Sequence, residues 1–145
     1  MTAMVRFRAG DGMYVVALDD ALEVRARASM RSLPDPVPGV EGVVEHDGRV
    51  LPVVRALGFG GRQVLLLQLG GRALGLLVDE VTGVVEVQGA EIGPAPEGQR
   101  APLVAGTVME GDELAYVLDV GQLADAFVGA GQRADALVGV QEDQS

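Results

Sequence analysis

The chain has 145 residues, of which 48% are hydrophobic, so its length suits one domain or two small subdomains that share a core. Its formal net charge of −10 argues against nucleic acid and anionic membrane surfaces as partners, because both need clustered basic side chains. The chain contains no cysteine and no lysine, which excludes thiolate nucleophiles, disulfides, cysteine metal sites and lysine Schiff bases.

No part of the sequence is typical of membrane insertion. The first eight residues lack the continuous apolar run of a secretion signal, and no later run approaches the roughly 20 apolar residues of a membrane span. We therefore expect a cytoplasmic protein with no direct membrane insertion.

Short apolar runs separated by glycine predict strands in the first part of the chain. Residues 5–9 and 13–18 flank Gly10-Asp11-Gly12 and predict a hairpin. Three further runs predict strands at residues 22–28, 40–44 and 49–54. Between them, the three prolines of residues 33–38 predict an extended connector, because proline cannot donate to a β-ladder.

The middle of the chain contains the clearest predicted hairpin. Residues 64–69 and 73–78 are joined by Gly70-Gly71, which suits a tight two-residue turn. Both runs are apolar at almost every position, so we expect both faces of this hairpin to be buried between two layers.

The last third of the chain predicts three more strands and one helix. The strands are expected at residues 81–87, 103–109 and 114–118. After Asp119, the apolar residues Leu123, Phe127 and Val128 recur with helical spacing, and residues 124–129 are nearly repeated at 134–139. About ten short strands favour an all-β fold made of barrels or a sandwich.

The chain offers few residues for catalysis. Its single histidine, His46, lies in a polar segment that predicts a solvent-exposed turn, and Asp79 and Glu80 also predict a solvated turn after a buried strand. A lone histidine cannot form a zinc site without carboxylate ligands. We predict no catalytic residue, no metal site and no cofactor, and therefore no enzyme; a hydrolase that uses these three residues is the minor alternative.

Three stretches resemble the CheW-like family of chemotaxis adaptors and occur in the order typical of that family. Residues 42–54 contain a Gly-Val pair, a turn and a strand that carries proline. Residues 74–85 resemble the family's pattern of glycine, Val-Asp and Gly-Val most closely, and residues 114–123 resemble its closing strand and the start of its helix. The resemblance covers the chain from about Val5 to Phe127.

The resemblance implies an all-β fold of two intertwined five-stranded β-barrel subdomains with a short C-terminal α-helix. We expect one CheW-like domain over residues 1–129, with a first barrel at roughly 13–70 and a second at roughly 1–12 plus 71–120. An Ala/Gly-rich polar tail is expected at residues 130–145.

The resemblance also implies a function in a bacterial chemosensory array. A CheW-like adaptor or scaffold couples the cytoplasmic tip of a chemoreceptor, a methyl-accepting chemotaxis protein, to the regulatory domain of a CheA-type histidine kinase in two-component signalling. The receptor tip is expected in the groove between the barrels, and receptor binding is carried over to Glu23, Val24, Gly42, Val43 and Asp47. Kinase binding is carried over to Ala28, Met30, Val54 and Arg55.

Two positions depart from the family pattern by reversing charge. Asp47 stands where the family usually has arginine, and Arg55 stands where it usually has aspartate. The two reversals predict a mutual Asp47–Arg55 ion pair of reversed sense. An unadapted partner would instead meet like charge, which costs several kcal/mol across an interface.

Several functional alternatives stay open at this point. The chain is either an ordinary coupler with co-adapted partners or a specialised adaptor that binds receptor but has lost kinase coupling. A small-ligand-binding β-barrel is an alternative of another class, although only 3% of the residues are aromatic and available to line a pocket. A structural spacer without a saturable partner is the last alternative.

Overall fold

The computed structural model describes residues 1–35, 37–57, 61–95 and 103–127. All ten predicted strands are present, and no strand end differs from its predicted position by more than three residues. The elements are β1 Thr2–Ala9, β2 Gly12–Ala17, β3 Ala21–Ala26, β4 Val40–His46, β5 Arg49–Val54, β6 Gln63–Leu69, β7 Arg72–Val78, β8 Glu80–Val87, β9 Val104–Glu110, β10 Glu113–Leu118 and α1 Val120–Ala126. The all-β class and the single short C-terminal helix are thus confirmed for the described residues.

The strands form two five-stranded sheets. The first, here called the terminal sheet because it contains strands from both ends of the chain, has the order β8-β1-β2-β10-β9. The second, here called the central sheet, has the order β3-β6-β7-β5-β4.

The two sheets have the same connectivity if the order of strands along the chain is circularly permuted. Each consists of an edge strand, an antiparallel hairpin, and a second hairpin that joins the first through one parallel pair. The parallel pairs are β2 with β10 and β7 with β5. A register shift occurs at equivalent places, one residue before Gly42 in β4 and one residue before Gly106 in β9. Each half of the protein is therefore a version of one folding unit.

Each sheet curls back on itself, but no ladder of hydrogen bonds among the described residues closes it into a barrel. The edge strands β3 and β8 end in single 3₁₀ turns, Arg27–Ser29 and Gly89–Glu91. Beyond these turns, one isolated bridge pairs Arg31 with Val43 of β4, and another pairs Gly93 with Thr107 of β9. The expected barrels are therefore open sheets, because the 3₁₀ turn interrupts the extended backbone before it can pair along the opposite edge.

The chain passes from one sheet to the other at places that differ from the predicted limits between the barrels, 12/13 and 70/71. The strand β2 stays with β1, and β7 stays with β6, because hairpin partners joined by tight turns pair with each other. The chain crosses between the sheets at the 3₁₀ turn Leu18–Asp20 and again at Asp79.

Asp79 fastens the second crossing to the first hairpin. Its backbone N–H donates to the Arg8 carbonyl at 2.8 Å, and its carboxylate Oδ2 accepts from the Gly10 N–H at 2.8 Å. The predicted solvated turn at this position thus has a structural role, since it holds the β7–β8 junction against the β1–β2 turn.

The core has three parts, and the predicted two-faced hairpin β6–β7 contributes to two of them. A shared core lies between the sheets and contains Phe7 and Tyr14 from the terminal sheet with Leu65, Leu67 and Leu76 from the central sheet. Alternate residues of the hairpin face the opposite way and fill the interior of the central sheet: Val64, Leu66 and Leu77. The burial of both faces is thus confirmed.

The helix α1 covers one side of the shared core. It begins after Asp119, whose side chain accepts a hydrogen bond from the Gln122 N–H at 3.0 Å, and it buries Leu123 completely. Phe127 lies against Gly39, where an added Cβ atom would come within 2.7 Å of the ring. The predicted helical residue Val128, the near repeat up to residue 139 and the tail at 130–145 lie outside the described residues.

Replacement of Leu76 by alanine tests the shared core. The side chain is fully buried, so Leu76→Ala is expected to lower the free energy of unfolding by about 2–5 kcal/mol through loss of apolar burial and the cavity left behind. Urea denaturation measures this change. Leu114→Ala, at a side chain that is 48% exposed, is the control and should cost much less; equal costs would contradict the assigned core.

The acidic crossing between β2 and β3 predicts a dependence of stability on pH. Burial raises the pKa of Asp20 above its ordinary value of 3.8, and the neighbouring Asp19 carboxylate adds to the rise. The native state therefore holds this proton more tightly than the unfolded state does, and the charged form opposes folding once the pH exceeds the raised pKa.

Asp20→Asn is accordingly expected to raise the free energy of unfolding near pH 7. The difference should vanish near pH 3, where both folded and unfolded chains carry the proton. Denaturation at both pH values, with Asp112→Asn at an exposed hairpin tip as the control, measures the effect. A stabilisation that persists at the lower pH would contradict the assigned cause.

Candidate interaction surface

The edge strand β3 carries two of the residues predicted to bind receptor. Val24 is 42% exposed and pairs with Leu65, which faces the shared core. Because directly paired residues point to the same face of a sheet, Val24 points toward the groove between the two sheets. Glu23 pairs with Leu66 and therefore lies on the inner side of the central sheet.

A charged cluster joins β3 to β4 across the open seam of the central sheet. Arg25 Nε contacts Glu23 Oε1, Arg25 Nη1 donates to the Glu45 carbonyl at 2.5 Å, and Nη2 lies 3.4 Å from His46 Nδ1. The imidazole also lies 3.9 Å from Glu23 Oε2 and 3.4 Å from Asp47 Oδ2. The structure thus brings the predicted residues Glu23 and Asp47 together, through Arg25 and His46.

Arg25 and His46 were missed as members of this site. His46 is the last residue of β4 and its side chain is only 22% exposed, so the predicted solvent-exposed turn is wrong for this residue. Asp47 occupies the turn itself, with a positive φ of 49° and a side chain that is 88% exposed. Sequence spacing gave no signal for the cluster, because its members meet only when the sheet curls.

Gly42 and Val43, also predicted to bind receptor, are buried beneath this seam. Val43 exchanges two backbone hydrogen bonds of 2.8 Å with Arg31. A Cβ atom at Gly42 would lie 2.5 Å from the Arg31 carbonyl oxygen and 2.6 Å from Met30 Cγ. Their side-chain positions are not accessible to a partner in this fold, so they act by holding the seam.

The residues predicted to bind kinase lie at the other end of the β4–β5 hairpin. Ala28 is exposed on the 3₁₀ turn, Met30 is half-buried over Gly42, and Arg55 follows β5. Val54 is fully buried, because its side chain belongs to the shared core. A partner can therefore touch Ala28, Met30 and Arg55 but not the Val54 side chain.

The predicted Asp47–Arg55 ion pair is wrong. Arg55 Nε lies 3.1 Å from Glu41 Oε1, a charge contact without hydrogen-bond geometry. Asp47 and Arg55 stand at opposite ends of β5, which at about 3.3 Å per residue separates them by about 20 Å. The two charge reversals are therefore independent of each other.

In the terminal sheet, ion pairs link β1 to the β9–β10 hairpin. Arg6 Nη1 donates to Glu110 at 3.0 Å, and Arg8 donates two hydrogen bonds to Glu113, at 2.5 and 3.2 Å. Acceptance of these bonds lowers the pKa of the Glu113 carboxyl, and the same contact raises the pKa of Arg8. These four charged side chains thus form ion pairs within the terminal sheet.

Three large apolar side chains are exposed on the terminal sheet and were not predicted as candidates. Val84 of β8 is 58% exposed, and Met109 and Leu114 are direct cross-strand partners that are 55% and 48% exposed. The sequence pattern of a strand predicts which residues alternate between its two faces, but it does not predict which face is exposed to solvent.

Neither a metal site nor a membrane-spanning helix is found in the described ranges. No group of three or more His, Cys, Asp or Glu residues there is placed to hold a metal ion. No helix in the same ranges is both long and apolar enough to cross a membrane.

Comparison with known proteins places this chain in one family. The model of the CheW-like domain matches residues 3–127, nearly the whole described chain. The chain belongs to the CheW-like family. Proteins of this family are non-enzymatic adaptors of chemotaxis, so the matched domain gives no support to the hydrolase alternative.

The individual relatives agree with this assignment. The chain is 29% identical over 103 residues to a chemotaxis protein CheW of Rhizobium meliloti, and 26% identical over 103 residues to a probable chemotaxis protein CheW of Rhizobium etli. Each match covers 65% of this chain and 66% of the relative. The crystal structure of scaffolding protein TtCheW from Thermoanaerobacter tengcongensis has the same fold, with a TM-score of 0.71 at 21% identity over 82% of this chain and 84% of that one.

Gly42→Ala tests whether the seam of the central sheet depends on close backbone contact. The added methyl group collides with Met30 and the Arg31 carbonyl, so we expect a loss of about 1–3 kcal/mol in the free energy of unfolding. Hydrogen exchange of the Arg31 and Val43 amides should accelerate beyond this global change. Gly71→Ala, where nothing lies within 4 Å of the added atom, is the matched control. Equal effects of the two substitutions would contradict the role of Gly42.

Proposed function

We propose that this CheW-like protein couples the cytoplasmic tip of a chemoreceptor to the regulatory domain of a CheA-type histidine kinase, and that it does so in the cytoplasm. The observation that carries the proposal is the match of the CheW-like domain to residues 3–127. The protein takes no part in the chemistry of phosphorylation and acts through two protein-binding surfaces.

The proposed receptor surface is the β3 edge together with the β4–β5 turn. Val24 supplies an exposed apolar side chain on the groove side, and Glu23 and Asp47 supply carboxylates held around His46. A receptor helix in the groove would bury Val24, and its polar side chains that extend past the β3 edge would meet the carboxylates on the other side of that edge. Gly42 and Val43 support this surface from below.

The proposed kinase surface lies beyond the end of β3. Ala28 and Met30 lie on a short segment that is tied to β4 by the Arg31–Val43 bridge, and Arg55 lies beside Glu41 at the start of the same strand. A small exposed residue such as Ala28 permits close approach of a partner strand or loop. Val54 contributes only from within the core.

A small-ligand-binding barrel has less support. The interior of the central sheet is filled by Val44, Leu51, Val53, Val64, Leu66 and Leu77. The interior of the terminal sheet is filled by Met4, Met13, Val15, Val87, Val108 and Ala115. Side chains thus occupy the space that a ligand would need.

A specialised adaptor that binds receptor without kinase is the second candidate, and the position of Arg55 favours it. Arg55 pairs with Glu41 and not with Asp47. The two reversed charges therefore do not neutralise each other, and each is presented separately to a partner protein. A kinase surface adapted to aspartate at position 55 would meet like charge there and bind weakly.

Calorimetry with each partner separately tests the proposal. The purified protein is titrated with the cytoplasmic tip fragment of its receptor and with the regulatory domain of its kinase. We expect tight binding to both; binding to the receptor alone would replace the coupler with the specialised adaptor. Binding to neither would contradict the proposed function.

Two substitutions separate the two surfaces, and the repeated architecture supplies matched controls. Asp47→Arg should weaken receptor binding by at least about tenfold and leave kinase binding unchanged, whereas Asp112→Arg at the equivalent tip of the terminal sheet should change neither. Ala28→Trp should weaken kinase binding alone, with Ala90→Trp on the equivalent 3₁₀ turn as the control. Equal losses in a substitution and its control would contradict the assigned surface.

A further inference from the structure

Most arginines of the described residues are paired with a carboxylate. The pairs are Arg6–Glu110, Arg8–Glu113, Arg25–Glu23, Arg55–Glu41 and Arg72–Asp125. Arg31 and Arg62 are exposed and make no ion pair with any residue that the structure describes. Arg49 also lacks a carboxylate partner, but its Nη2 donates to the Gly71 carbonyl, whereas the Arg31 and Arg62 guanidinium groups form no hydrogen bond within the described residues.

Arg31 and Arg62 flank the same short segment. The Arg27 N–H donates to the Arg62 carbonyl at 3.0 Å, which places Arg62 beside the start of residues 27–31. The Met30 N–H bonds to the Arg27 carbonyl at 3.0 Å, and Arg31 is fixed to Val43 at the far end. The two guanidinium groups therefore extend from a backbone that is already hydrogen-bonded.

The equivalent segment of the terminal sheet shows that the fold does not need these charges. Residues 89–93 form the same 3₁₀ turn and bridge, and Ile92 covers Gly106 as Met30 covers Gly42. Gly93 stands at the position of Arg31, and the exposed Glu91 stands at the position of Ser29. One unit thus presents a basic segment and the other an acidic one on the same backbone.

We infer that Arg31 and Arg62 form a basic docking surface for carboxylates of a protein partner, and that this partner is the kinase regulatory domain. The inference rests on the proposed function, because Ala28 and Met30, assigned there to kinase binding, lie between the two arginines. It adds the chemistry of the partner, whose docking surface must be acidic. Nucleic acid and membrane are less suitable occupants, since the remainder of this acidic chain repels them.

Charge complementarity at this surface would allow an acidic adaptor to bind an acidic surface of its partner. The net charge of the chain slows such an encounter, whereas a local pair of arginines attracts the partner in the correct orientation. Guanidinium groups also bind carboxylates through two parallel hydrogen bonds, which fixes the docked geometry.

The test is the rate of association with the kinase regulatory domain, measured by stopped flow over a range of ionic strength. The double variant Arg31→Gln, Arg62→Gln keeps the backbone bridge and removes both charges. At low ionic strength it should associate about tenfold more slowly than the unaltered protein. The difference should disappear toward about 1 M salt, where the Debye length falls to about 3 Å.

The control is the double variant Arg49→Gln, Arg72→Gln. It removes the same charge from another neighbouring pair, since Arg49 donates to the carbonyl of Gly71, next to Arg72. It should associate as fast as the unaltered protein. If the two double variants behave alike, the docking surface is refuted while kinase binding itself stands.

Two other outcomes separate the remaining explanations. If the unaltered protein does not bind the regulatory domain, both the proposed function and this inference are contradicted. If the unaltered protein sediments with vesicles of equal parts phosphatidylcholine and phosphatidylserine and the Arg31→Gln, Arg62→Gln variant does not, a membrane occupies the surface and the protein assignment is overturned.

Discussion

The fold depends on two hairpins that are apolar on both faces. In β1–β2 and β6–β7, alternate residues fill the interior of their own sheet, and the residues between them meet the other hairpin in the shared core. Neither sheet can bury its second apolar face without the other, so the two units form one domain. The proposed binding surfaces consequently lie at the outer edges, the turns and the seams, where backbone and charged side chains remain accessible.

Strands and hairpins were predictable because their signals are local. Glycine pairs such as Gly70-Gly71 mark turns, and uninterrupted apolar runs indicate burial on both faces. Closure of the sheets was not predictable, since a single 3₁₀ turn after β3 decides whether the backbone continues as a strand or crosses to β4 by one bridge at Arg31. That choice depends on how far the sheet curls, which no spacing in the sequence expresses.

The candidate sites were predictable only in part for a related reason. Resemblance to a family identifies positions, and it named Glu23, Val24 and Ala28, which are exposed. It also named Val43 and Val54, which are buried, because a family pattern preserves core residues as strongly as contact residues. Arg25 and His46 were missed since their contacts cross the seam, and the Asp47–Arg55 pair failed since a hairpin separates its two ends by its whole length.

The circular permutation between the sheets has a consequence for how the chain folds during synthesis. All five strands of the central sheet lie between Ala21 and Val78, so this unit has its full set of strands before β8 to β10 leave the ribosome. The strand β2, in contrast, awaits β10 for its parallel neighbour, and β1 awaits β8, so the first hairpin has no other strand of its own sheet to pair with until β8 is made. The first hairpin must therefore bury its inner face against an incomplete protein. The risk of aggregation is greatest in the interval before β10 emerges, because apolar surface is exposed until then.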